Sequence, residues 1–112
     1  MRNHPHQDIV ENAIQVIGLA KPIVEAVSRR DRDLACQLRR ALSSIALNLA
    51  EGLGVEAGSA RLRFETARGS LYEARAALRV VVAWGHISSE RAKELFAALD
   101  ALGARVFGLA RR

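Results

Sequence analysis

Arg61, Arg68 and Arg75 recur every seven residues, and Arg79 falls on the same arc with Tyr72 beside them. At about 100° per residue this is one stripe of a helix. A line of guanidiniums can follow a phosphate backbone, giving binding that falls with salt and is largely indifferent to base sequence. The same spacing also fits a solvated face laced by intrahelical pairs, since Glu65 stands three residues before Arg68.

A second ordered line runs through Arg40, Ser44, Asn48 and Glu51, at steps of four, four and three. Ser and Asn are poor mid-helix residues because their side chains compete for backbone hydrogen bonds. Two of them on one line point to a polar contact between surfaces, either between helices or between subunits. Leu47 lies among them, away from the apolar stripe, where a large apolar side chain is expected to meet a partner. Glu51, near the helix end, is expected to pair with an arginine of a neighbouring helix or chain. Arg39 and Arg40 are further cations that could assist the Arg61–Arg79 stripe.

Catalytic chemistry finds no comparable pattern. His4 and His6 flank Pro5 near the N-terminus and His86 sits in a turn. No His-x-x-x-His or Glu-x-x-His spacing offers metal ligands, and no nucleophile stands at helical spacing from a base. Gly52, Gly54 and Gly58 are not followed by Gly-Lys-Ser/Thr, so they form no phosphate loop. The chain reads as a non-enzyme, without a metal or cofactor.

These residues are carried by helices throughout. Ile9, Ala13, Val16, Ala20, Val24 and Val27 share one face of a first helix over residues 8–27, where Pro22 is expected to kink or restart it. Residues 28–33 form the first connection. Leu34, Leu38, Leu42, Ile45 and Leu49 stripe a second helix that Gly52 and Gly54 end. The third is expected from a Ser59 cap to Trp84, with Phe64, Ala67, Leu71, Leu78 and Val82 inward and Gly85 as its stop. Ser88 caps a fourth, whose Leu95, Leu99, Leu102, Val106 and Leu109 alternate steps of four and three, a bundle seam. With short connections, the fold class is all-α: an antiparallel up-down-up-down four-helix bundle, residues 1–112 as one domain.

At 112 residues the chain can bury roughly two-thirds of its unfolded surface in one core. Its net charge of +5 comes mainly from arginine, Lys21 and Lys93 being the only lysines, a bias that a GC-rich genome also produces. Five aromatics, Phe64, Tyr72, Trp84, Phe96 and Phe107, are few for a reader that stacks a run of bases. The lone Cys36 excludes a disulfide framework. Neither a signal-type apolar run nor a membrane-length apolar segment is present, so the expected place is the cytoplasm, with no membrane partner.

The segments Gln37-Leu38-Arg39-Arg40-Ala41, Ser44-Ile45, Asn48-Leu49-Ala50-Glu51-Gly52, Gly54, Phe64 and Gly69-Ser70-Leu71-Tyr72-Glu73 occur in an order and spacing that resemble a known family. It comprises the bacterial four-helix bundle proteins encoded in intervening sequences of large-subunit ribosomal RNA genes. The resemblance implies a homopentamer with a central channel and a nucleic-acid-binding role. A related group serves the reverse transcriptases of diversity-generating retroelements and binds RNA through a basic pentamer. The chain departs from the pattern at Val55-Glu56, at Pro22, in lacking a first-helix aromatic, and in the charged run 29–33.

Two functions follow. In the first, a homo-oligomer binds nucleic acid, RNA favoured, through Arg61, Arg68, Tyr72, Arg75 and Arg79 with Arg39 and Arg40, while Arg40, Ser44, Leu47, Asn48 and Glu51 make structural or subunit contacts. In the second, the oligomer is a scaffold whose arginines meet an acidic protein, a reverse transcriptase among the candidates. An arginine fork serves phosphate and carboxylate alike.

Overall fold

The computed structural model describes residues 7–111, apart from the side chains of residues 7, 8 and 57. The His4–His6 run lies outside the described residues. Four helices follow in order: α1 (Gln7–Ser28), α2 (Arg32–Leu53), α3 (Ala57–Ala83) and α4 (Ser89–Ala110). Each packs on the next, and α4 returns to α1, so the four form a closed square. The cross-links establish antiparallel neighbours. Glu51 near the end of α2 reaches Arg63 near the start of α3, Arg75 reaches Asp100, and Arg105 of α4 donates to Asn12 of α1 at 2.9 Å. The result is an all-α four-helix bundle.

The seam residues behave as their spacing requires. Leu38, Leu42, Ile45, Leu49, Leu71, Leu78, Leu95, Leu99, Leu102 and Val106 are all buried. Three faces turn slightly from expectation. Ile23 is buried in place of the expected Val24 and Val81 in place of Val82, while Leu34 is only half-buried. In each case the neighbouring position points closer to the axis of the square, and the expected residue packs on its rim.

Helix ends follow local chemistry. Asp31 caps α2, its Oδ1 accepting from the Leu34 N–H at 3.0 Å, so α2 begins at Arg32 and the first connection shrinks to residues 29–31. Ser88 caps α4 by accepting from the Arg91 N–H at 3.1 Å. Gly85, at φ 77°, ends α3 in the left-handed region that an L side chain resists. There the His86 N–H reaches the Val81 carbonyl and the Gly85 N–H the Val82 carbonyl, the pair of bonds that defines a Schellman end.

Two expectations are corrected. Ser59 is not the α3 cap, because α3 starts at Ala57 with Glu56 before it and no side-chain cap bond. Ala60 and Phe64, in its first turns, are buried in the core. Gly52 does not end α2 but lies buried inside it, and Gly54 follows as the cap. The α1 helix runs through Pro22, which is exposed, as is Gly18, the residue whose carbonyl loses its helical partner.

Gly52 exists for Phe64. A Cβ at position 52 would collide with the Phe64 ring, whose Cζ would lie 3.1 Å away. Gly52→Ala is expected to destabilise the fold by about 1–3 kcal/mol despite better helix propensity. That lowers Tm by at least about 4 °C in a chain this size. Trimming the ring with Phe64→Leu in the same background should recover part of the deficit. An unchanged Tm for Gly52→Ala would exclude the close contact.

Candidate nucleic-acid interface

Arg68 and Arg75 of α3 do not point straight into solvent. Their flank turns toward α4, which presents Phe96, Asp100, Gly103 and Phe107 at steps of four, three and four. Between the two helices runs a groove of about 430 Å³ floored by Leu71, Leu99 and Val106. Gly103 keeps it open and lets Leu71 in, since a Cβ there would stand 3.2 Å from Leu71 Cδ2.

Inside the groove the guanidiniums are held in place. Arg75 Nε donates to Asp100 Oδ1 at 2.7 Å, and its guanidinium lies 5.5 Å from the Phe96 ring centre. The hydrogen bond to Asp100 and that carboxylate's charge raise the Arg75 pKa. Arg68 rests over Phe107 at 4.7 Å and Tyr72 at 5.6 Å, with a long hydrogen bond to the Tyr72 hydroxyl at 3.4 Å and an ion pair to Glu65 at 3.7 Å. Its pKa is raised, first by the Tyr72 bond. Arg111 approaches the same Phe107 ring at 5.2 Å. Arg61 and Arg79, toward the ends of the stripe, are exposed and make no ion pair among the described residues. Arg68 and Arg75 thus line the groove, Arg111 reaches its Phe107 ring, and Arg61 and Arg79 continue the exposed stripe along α3.

Arg39 and Arg40 stand elsewhere. Arg39 borders a hollow between α1 and α2, and Arg40 is exposed on the outer side of α2, so neither joins the groove. The α2 polar line instead turns largely toward α3. Asn48 Nδ2 donates to the Ser44 carbonyl at 2.9 Å and to Ser44 Oγ at 3.0 Å. With that oxygen accepting, the Ser44 hydroxyl is free to donate to Ser70 Oγ, 2.7 Å away on α3. Glu51 pairs with Arg63 at 3.6 Å. Leu47 is 65% exposed.

Sequence reasoning missed Phe96, Asp100, Phe107 and Arg111 as groove residues. A signal was present: Phe96, Asp100, Gly103 and Phe107 share one flank of α4 beside its apolar seam. The five aromatics are few, but Tyr72, Phe96 and Phe107 gather at this groove. No cluster of three or more His, Cys, Asp or Glu side chains able to hold a metal occurs among the described residues. No described helix is long and apolar enough to cross a membrane.

Residues 7–108 match the family described as 23S rRNA-intervening sequence protein. The chain belongs to that family. Its fold also matches a crystal structure of a protein with unknown function from the S23 ribosomal protein family of Bacteroides thetaiotaomicron. That match has a TM-score of 0.85 at 10% sequence identity, over 93% of this chain and 99% of that one. Comparison with curated proteins gives no match. This intervening-sequence family member therefore shares its bundle with a protein almost unrelated in sequence, and the groove must be judged on its own residues.

The paired and unpaired arginines should separate in solution. Arg75→Glu sets a second carboxylate against Asp100 and is expected to lower the melting temperature by a few degrees. Arg61→Glu, with no described partner to lose, should leave it in place. Equal melting of the two variants would rule out the Arg75–Asp100 contact.

Proposed function

We propose that this protein is a non-catalytic, homo-oligomeric nucleic-acid-binding protein that takes RNA along the α3–α4 groove. The observation that carries the reading is the placing of Arg68 and Arg75 in one groove, with Arg111 on its Phe107 ring and Arg61 and Arg79 exposed on the same stripe of α3. Guanidinium forks match phosphate oxygens, and rings beneath them leave N–H edges directed outward. One such groove is a weak site. Repeating it across an oligomer raises the effective concentration of each further contact and gives useful avidity.

The sharpest variant removes only arginines that the fold does not use. Arg61→Glu with Arg79→Glu should leave melting unchanged and weaken binding of a single-stranded RNA oligonucleotide at 50 mM salt by at least about tenfold. The slope of log K against log salt should flatten by about 0.7 for each phosphate that is no longer neutralised. Binding that ignores both salt and the double substitution overturns the reading. A second reading, an acidic protein partner, draws on Arg75, whose fork already holds a carboxylate at 2.7 Å. A partner recovered from lysate after nuclease treatment, with no RNA binding at low salt, would favour it.

A further inference from the structure

We infer that the centre of the α3–α4 groove reads one unpaired guanine base, whose edge meets Arg75 and Asp100 together. The inference rests on the RNA reading above and adds to it the nucleotide that the strand presents there.

Asp100 is out of place in a site for phosphate alone. Among the described residues lining the groove it is the one carboxylate. A negative charge there repels every phosphate that approaches. Its return to the fold is small, because an ion pair this exposed contributes little in water. The contact is also incomplete. Arg75 donates through Nε alone, to Oδ1 at 2.7 Å, where a guanidinium fork can give a carboxylate two parallel bonds. Arg75 Nη1 and Nη2 and Asp100 Oδ2 make no hydrogen bond among the described residues. Donors and an acceptor therefore stand side by side, both partly open to solvent.

A phosphodiester has acceptors only and cannot use Asp100. A base edge carries donors as well. Guanine sets one acceptor, O6, beside two donors, N1–H and N2–H. Taken in that order along the edge, they match Arg75, Oδ1 and Oδ2. Arg75 donates to O6, N1–H donates to the lone pair that Oδ1 keeps beside its Arg75 bond, and N2–H donates to Oδ2. Adenine and cytosine offer the carboxylate one amine and uracil one ring N–H, so each makes fewer bonds here.

The groove also has room for the ring. It measures about 430 Å³, its floor is Leu71, Leu99 and Val106, and Gly103 leaves its middle without a side chain. Such a floor suits the face of a base and offers a phosphate nothing. Tyr72 lines the same groove, and with its oxygen accepting from Arg68 Nε its own proton is free to donate. Along α3, Arg68 and Arg79 stand about 10 Å and about 6 Å to either side of Arg75. The phosphates flanking the base thus have a guanidinium each. Pairing would consume the edge that is read, and side chains cannot reach the other edge in the deep groove of an A-form duplex. The strand must be single at this nucleotide.

The test measures binding by fluorescence anisotropy at low salt, using short oligouridylate strands with guanosine, inosine, cytidine, adenosine or uridine at the centre. The guanosine strand should bind at least about tenfold more tightly than the plain strand. Inosine keeps O6 and N1–H but lacks the N2 amine, and should fall between them; this comparison uses wild-type protein and needs no variant to fold. Asp100→Asn keeps an acceptor for Arg75 Nε, so circular dichroism should show it folded. It should bring the guanosine strand to within about twofold of the others. Having lost a negative charge, it should bind the plain strand at least as tightly as wild type does, whereas a merely structural Asp100 would weaken all strands alike. If all strands bind wild type equally, if another base leads, or if the variant keeps the guanosine preference, the base assignment is wrong while the groove can still bind RNA. No binding of any strand overturns both.

Discussion

The close approach of α2 to α3 sets the rest of the structure. Ser44 and Ser70 bring their hydroxyls to 2.7 Å across it, and the absent side chain of Gly52 admits the Phe64 ring one layer below. Small residues allow the approach, and the hydroxyl chain from Asn48 through Ser44 to Ser70 satisfies polar groups that the approach half-buries. Once Ser70 faces α2, the rotation of α3 about its own axis is fixed. Residues 68, 72, 75 and 79 must then turn to the opposite flank, beside α4, and residues 62, 69, 76 and 80 must face outward. One interface thus decides where the arginines and the bare apolar line both end up.

Within the groove, pairing and exposure divide the arginines. Arg68 and Arg75 are fixed by rings and carboxylates, so little rotamer freedom remains to be given up when they meet an anion. Exposed ion pairs are weak in water, so Glu65 and Asp100 orient these guanidiniums without sequestering them. The carboxylates still lower the positive potential midway along the groove. Arg61 and Arg79, without an ion pair among the described residues, lie toward the ends of the α3 stripe, a spread that would suit an extended polyanion better than a compact one.

The helices were legible because each carries its own apolar period, and the caps at Asp31 and Ser88 and the stop at Gly85 announce themselves in local chemistry. The Arg61–Arg68–Arg75 repeat was legible for the same reason. What could not be read was anything set by two helices at once. That Arg75 meets Asp100 and Arg68 meets Phe107 depends on how far α4 slides along α3, and no period within either helix contains that offset. The burial of Gly52 failed likewise, because it answers to the packing of Phe64 rather than to turn chemistry. The direction of the Ser44–Asn48 line, toward α3 instead of solvent, needed the inter-helix register too.

The preference for arginine has a physical ground in this groove whatever its genomic origin. Four guanidinium–ring approaches lie within 4.7–5.6 Å of aromatic ring centres, made by Arg68, Arg75 and Arg111. A planar, weakly hydrated cation can rest its face on a ring and still present its edge N–H groups to an acceptor. A lysine ammonium has no such edge and would give up hydration to reach the ring. Phe107, shared by Arg68 and Arg111, therefore acts as a platform that lines up two forks from different helices. Removing that ring would leave the charge unchanged and abolish the alignment, which is why the aromatics belong to the proposed anion site even if no base ever stacks on them.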